Sequence, residues 1–172
     1  IKGICMTNDN QSNNAPWVID KAITIRGASA DASIDLRAGG IILGADVIFE
    51  NLELGFANRV RNAIMANGHK LTLRNVTCSK STNNDINLFC GGVTGLNTGA
   101  KSGGHGESII DNCPEMGNGN VYAGSISADG QPNQSLIPAT VTMVGTSKMG
   151  EFYGCGALET YVPDTEMMNP NY

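Results

Sequence analysis

Hydrophobic and polar positions alternate along this chain in short segments that recur at a fixed interval. Residues 23–27, 47–51 and 71–75 each carry apolar side chains two positions apart, which is the period of a β-strand. Their starting positions, 23, 47 and 71, are 24 residues apart. Looser copies begin at residues 108 and 141. No segment with the period of a helix separates the copies, so the pattern predicts an all-β protein.

An interval of this length is typical of proteins built from stacked repeats. About 24 residues leave room for two or three short strands and their turns, which is one rung of a right-handed parallel β-helix. The five copies therefore predict about five rungs, with parallel strands about 4.8 Å apart. A single rung cannot bury its apolar face, so neighbouring rungs are expected to share one core.

Stacking the copies in register predicts which side chains lie above one another. A first inward column is expected to contain Ile23, Val47 and Leu71. A second inward column is expected to contain Ile25, Phe49, Leu73 and Ile110. The residues between these columns, Thr24, Ile48 and Thr72, are expected to point outward, because side chains alternate along a strand.

Two polar columns follow from the same register. One outward column would contain Arg26, Glu50, Arg74 and Asp111, whose charges alternate in sign. Opposite charges on adjacent strands stabilise a sheet by roughly 0.2–1 kcal/mol per pair. The next position holds Asn51, Asn75 and Asn112, where the chain is expected to bend, because asparagine tolerates the left-handed backbone conformation. Stacked asparagine amides can also hydrogen-bond to one another.

The pattern predicts one β-helix domain over residues 1–162. Within it, residues 1–16 would form a polar lead-in or edge, and residues 163–172 would form a linker or tail. Glycine-rich stretches at 96–106 and 128–138 lengthen the later repeats and read as insertions, which in solenoids map to one face or edge that often binds. Because the chain starts at Ile1 without a signal peptide, we interpret it as a piece of a larger protein.

Composition and charge argue against several classes of function. The net charge of −5 argues against a nucleic-acid-binding surface, which would be basic, and no apolar run is long enough to span a membrane. The five cysteines include no CxxC pair, so we expect no zinc site; buried free thiols or one disulfide remain the alternatives. We expect no cofactor. The sequence does not indicate an oligomeric state.

Enzymatic chemistry is the alternative to a binding role. A glycosidase needs two carboxylates in one cleft, and a calcium-dependent lyase needs an acidic cluster with a basic residue. The candidate catalytic residues are Asp46, Glu53, Arg59 and Arg61, and calcium would be the cofactor of such a lyase. The only histidines, His69 and His105, lie 36 positions apart without a companion acid motif, which is a weak signal for a metal site.

Residues 22–27, 45–54 and 67–76 resemble the repeats of right-handed β-helix proteins of the pectin-lyase-like superfamily. More narrowly, they resemble the pectate-lyase-like adhesive domains of Gram-positive bacterial surface proteins, with the best agreement over residues 15–80. The resemblance implies an extracellular or cell-surface module that binds a glycan or a host or cell-surface protein. It transfers no lyase residues, so a non-catalytic role is expected, with a polysaccharide lyase or glycoside hydrolase as the alternative.

Overall fold

The computed structural model describes residues 1–6, 17–36, 41–56, 63–78, 87–91, 93–94, 106–116, 119–123, 126–127 and 139–153. These ranges contain fifteen strands and no helix. Consequently, this part of the chain has no helix that could cross a membrane. The expected insertions at 96–106 and 128–138 and the tail at 163–172 lie outside the described residues, apart from Gly106.

The strands form two large sheets and one small one. The seven-stranded sheet contains β1 (Ile4–Met6), β3 (Ile23–Arg26), β4 (Ser33–Leu36), β6 (Val47–Phe56), β8 (Leu71–Thr77), β11 (Gly106–Asp111) and β14 (Ala139–Val144). The six-stranded sheet contains β2 (Trp17–Ile19), β5 (Ile41–Leu43), β7 (Ala63–Met65), β9 (Asn87–Phe89), β12 (Val121–Tyr122) and β15 (Phe152–Tyr153). The small sheet pairs β10 (Val93–Thr94) with β13 (Ile126–Ser127).

Every strand pair is parallel, and the chain passes back and forth between the two large sheets. In the seven-stranded sheet, Ile25 pairs with Phe49, and Phe49 pairs with Leu73, which is the 24-residue register of the sequence repeat. The column continues through Ile110 to Met143. Because the described ranges are rich in strands and contain no helix, they fit the predicted all-β class.

The core lies between the two large sheets. Phe49, Leu73 and Ile110 are fully buried, while Ile25 is partly buried and packs against them. In the adjacent column, Val47 and Leu71 are buried, but Ile23 is 39% exposed. The expectation that Ile23 is buried inside is therefore wrong, and among the described strands β3 pairs with β6 alone.

The column between these two, Thr24, Ile48 and Thr72, varies in exposure. Thr24 is exposed and Ile48 is partly exposed, but Thr72 is 3% exposed. Strand β8 lies between β6 and β11, so Thr72 is flanked by the larger side chains of Ile48 and Ile109. On this central strand, the neighbouring side chains therefore shield Thr72 from solvent.

A left-handed asparagine bends the seven-stranded sheet within β6, within β8 and directly after β11. Asn51 interrupts the ten-residue strand β6 with a φ of 55°, and Asn75 and Asn112 take φ values of 50° and 51°. Residues 47–50 of β6 pair with β3, and residues 53–56 pair with β4. The bend thus divides the sheet into two faces, at the column where asparagine is tolerated.

The central strands of the six-stranded sheet are buried on both sides. Ile41, Ile64 and Leu88 belong to the core, while Ile42 and Met65, at alternating positions, are equally buried outside it. Parallel sheets commonly have both faces covered, and their strands then consist of continuous apolar residues. The sequence Ile41-Ile42-Leu43 has this composition.

The exposed large apolar side chains gather at the two ends of the stack. Ile1, Val18 and Ile23 lie at one end, and Met143, Val144 and Phe152 lie at the other. Met143 and Phe152 continue columns that are buried one strand earlier, at Ile110 and Val121. The last described member of each of these two interior columns is therefore exposed to solvent.

Candidate functional site

A surface groove of about 500 Å³ lies beside the bend in the seven-stranded sheet. One wall is the turn between β3 and β4, and it contributes Gly27, Ala28, Ser29, Ala30 and Ala32. The other wall is the bend itself, and it contributes Asn51, Leu52, Glu53, Asn75 and Thr77. The groove thus spans strands from three successive copies of the repeat.

The groove exists because the first copy bends differently from the next two. After Asn51 and Asn75 the strand continues directly, whereas after β3 the chain makes a turn before β4 begins at Ser33. The turn closes with a hydrogen bond from Ala32 N to Ser29 O at 3.1 Å. Apart from Asp31 its residues are small, and those at positions 28 and 30 are exposed, so the space between the walls stays open.

Position 27 is restricted to glycine by the neighbouring strand. The Gly27 amide donates to Glu50 O at 2.9 Å, which holds the turn against the bend. A β-carbon at this position would overlap the carbonyl oxygen of Asn51 and approach the Ala32 β-carbon. The column that contains Asn51, Asn75 and Asn112 therefore begins with Gly27, and it ends with Gly145, whose φ is 65°.

The amides of Asn51 and Asn75 form the polar centre of the groove. Asn75 Nδ2 donates to Asn51 Oδ1 at 2.7 Å. Among the described residues, neither Asn51 Nδ2 nor Asn75 Oδ1 makes a hydrogen bond. The pair therefore offers one open donor and one open acceptor to a ligand.

Glu53 and Thr77 lie side by side just past the bend. They pair in register on β6 and β8, and both are partly exposed. Glu53 also has an interaction elsewhere in the protein. Of the described residues that line the groove, none is basic or aromatic, and Glu53 is charged.

The predicted charge column is present, and its members neutralise one another. Glu50, whose side chain is 13% exposed, lies 2.7 Å from Arg26 Nε and 3.9 Å from a terminal nitrogen of Arg74. Arg74 Nε in turn lies 3.1 Å from Asp111 Oδ2. Each acid therefore has a basic neighbour, and the column contributes to the pairing of strands.

A second charged column was missed by the sequence reasoning. Asp46 Oδ1 accepts from Lys70 N at 2.9 Å, and Lys70 Nζ lies 2.8 Å from Glu107 Oε2. His69 Nδ1 is 3.8 Å from the same Asp46 oxygen. The signal was available, because Asp46, Lys70 and Glu107 are separated by the same intervals, 24 and 37, as the strands they precede.

Of the alternative catalytic residues, the structure describes Asp46 and Glu53, which lie on either side of the bend at Asn51. Asp46 precedes the first half of β6 and Glu53 follows the bend, with an extended segment of about 16 Å from Asp46 to Asn51 between them. Paired glycosidase carboxylates lie roughly 5–9.5 Å apart. Arg59, Arg61 and His105 lie outside the described residues. Across the described ranges, no three histidine, cysteine or acidic side chains are placed to bind a metal ion.

Three cysteines are free and buried: Cys78, Cys90 and Cys113. Burial raises the pKa of the Cys90 thiol to about 11 and raises the pKa of Cys78 well above its usual range. Burial also raises the pKa of Cys113. Since burial favours the protonated form of each thiol, these residues pack as small apolar side chains.

Comparisons with protein-family models, curated proteins and solved structures found no match for this chain.

Proposed function

We propose that this chain is a right-handed parallel β-helix that serves as a non-catalytic glycan-binding module of an extracellular or cell-surface protein. The register of β3, β6, β8, β11 and β14 supports the coil, since equivalent residues stack at the repeat interval. The resemblance to adhesive domains of bacterial surface proteins supports the location and the adhesive role.

The observation that carries the binding role is the groove beside Asn51 and Asn75. It is a concave site with fixed polar groups that still have hydrogen-bonding capacity. Saccharides present many hydroxyls, each of which can donate and accept, so they fit a surface that offers both functions. Among the described acids, Glu50, Glu107 and Asp111 lie beside basic side chains, and Asp46 and Glu53 lie on either side of the bend at Asn51.

The test is a glycan array, probed with the whole purified chain, together with an assay for released products on the same neutral and uronate glycans. We expect binding to a subset of glycans and no release of products. Release that is lost in Glu53→Gln or Asp46→Asn would establish the enzymatic alternative. Absence of binding on the array would contradict the glycan-binding role and leave a host or cell-surface protein as the partner to be tested.

A further inference from the structure

We infer that the groove binds an N-acetylated amino sugar and recognises its acetamido group through the side-chain amide of Asn51. This inference rests on the proposed glycan-binding function and assigns its site and ligand class. It follows from where the column of asparagine amides ends and from the apolar side chains that line the groove beside that end.

The column of side-chain amides ends inside the groove. Asn75 Nδ2 donates to Asn51 Oδ1 at 2.7 Å, so one amide hydrogen-bonds to the next along the stack. In the preceding copy of the repeat, the register places Gly27 beside Asn51, and Gly27 has no side-chain amide to continue the column. All three residues line the groove. A planar amide brought by a ligand can therefore extend the column by one member.

The hydrogen bond between the two asparagines leaves part of the Asn51 amide available. Within the described residues, Asn51 keeps either its NH₂ or its carbonyl oxygen for a ligand, whichever way the two amides are oriented. An acetamido group has one N–H and one carbonyl oxygen, so it can pair with Asn51 in either case. Strand β6 pairs with β3 on one side and β8 on the other, so Asn51 is held in position before a ligand arrives.

Apolar side chains line the groove beside this amide. Ala28 and Ala30 are exposed on the turn, and the buried side chains of Ala32 and Leu52 line the groove as well. The methyl of an acetamido group leaves water when it contacts these side chains, which is favourable. A hydroxyl at the same place on the sugar would lose water without this gain. The groove therefore favours an N-acetylated sugar over the corresponding hexose.

The test measures binding of chitotetraose and cellotetraose to the full chain by calorimetry. The two probes have the same linkage between their rings and carry no charge. They differ at one position of each ring, where chitotetraose has an acetamido group and cellotetraose has a hydroxyl. We expect chitotetraose to bind about tenfold more tightly, because it adds an amide hydrogen bond and a buried methyl.

Two groove variants, each with a matched control, locate the site. Asn51→Gly removes the amide at a position whose positive φ glycine tolerates, and it should lower the affinity for chitotetraose by about tenfold. Its control is Asn112→Gly, because Asn112 has a φ of 51° in the same column and is not one of the described residues that line the groove. Ala30→Trp should fill the groove and weaken the binding of both probes, whereas Ala22→Trp, exposed before β3, should weaken neither.

Circular dichroism and urea unfolding establish that each variant is folded. If Ala30→Trp does not fold, Ala28→Leu on the same wall takes its place. Chitotetraose binding that survives both groove variants would overturn the assignment of the site and leave the proposed function intact. Equal or tighter binding of cellotetraose, or binding of other glycans on the array with neither probe bound, would overturn the ligand class. No binding to any glycan on the array would overturn the proposed function itself.

Discussion

At the bend we expect a glycine variant to be more stable than an alanine variant, which is the reverse of their usual order within a β-strand. Asn112 has a φ of 51° and accepts a hydrogen bond from Thr146 N at 3.3 Å through Oδ1. Asn112→Ala and Asn112→Gly both remove this acceptor, so its loss cancels when the two variants are compared. What remains is the cost of placing a β-carbon in the left-handed region and the difference in unfolded-state entropy.

The two contributions have opposite signs. A left-handed conformation costs an L-residue such as alanine about 1–2 kcal/mol and costs glycine almost nothing. Alanine recovers about 0.4–1 kcal/mol because it restricts the unfolded chain more than glycine does. We therefore expect Asn112→Gly to be more stable than Asn112→Ala by about 0.5–1 kcal/mol in the free energy of unfolding, measured by urea denaturation.

Thr142 provides the matched control. It is exposed on β14, on a strand position without a positive φ. There Thr142→Ala should be more stable than Thr142→Gly, by about 0.5–1 kcal/mol, because glycine is unfavourable within a strand. If alanine is the more stable variant at both positions, the bend does not require the left-handed conformation, and this account of the asparagine column is wrong.

Three further outcomes follow from the described contacts. Glu50→Lys should destabilise the protein by about 1–2 kcal/mol at low salt, because it places three cations in one column. The loss of stability should shrink at high salt, and a loss that does not depend on salt would contradict the charge column. In urea unfolding, Leu73→Ala should lower the free energy of unfolding by about 2–5 kcal/mol, because Leu73 is fully buried. Met143→Ala should lower it by less than about 1 kcal/mol, because Met143 is 40% exposed. Equal losses would contradict the exposure of the last described strand. Cys90 has its pKa raised from 9.0 to about 11 by burial, so the unfolded chain releases this proton first and stability should fall as pH rises from about 9 to about 11. Cys90→Ala should flatten this fall, and an unchanged pH profile would show that the thiol does not contribute.

The sequence predicted the part of the fold that repeats. Ile25, Phe49 and Leu73 pair in the register that their interval implies, because a one-residue slip would turn a whole strand inside out. The left-handed backbone of Asn51 and Asn75 likewise follows from residue type at a bend. These features depend on local composition and on a fixed period, both of which can be read from the chain.

What the sequence did not predict depends on position within the stack. Ile23 and Val47 occupy equivalent places in the repeat, yet Ile23 is exposed and Val47 is buried, because Val47 has a described strand on each side and Ile23 has one on a single side. The groove was also missed. It arises from the turn between β3 and β4, whose small residues have no signature apart from their spatial relation to Asn51 and Asn75.

The long interval between paired strands has a consequence for the nascent chain. Residues of β6 find their partners on β3 and β8 only across 24 positions, and β11 reaches β8 only across 37. A newly made strand therefore has nothing nearby to bond with until a complete turn of polypeptide has emerged and closed a loop of that length. We expect synthesis and folding to advance layer by layer, so that each finished layer serves as the template on which the next one is laid.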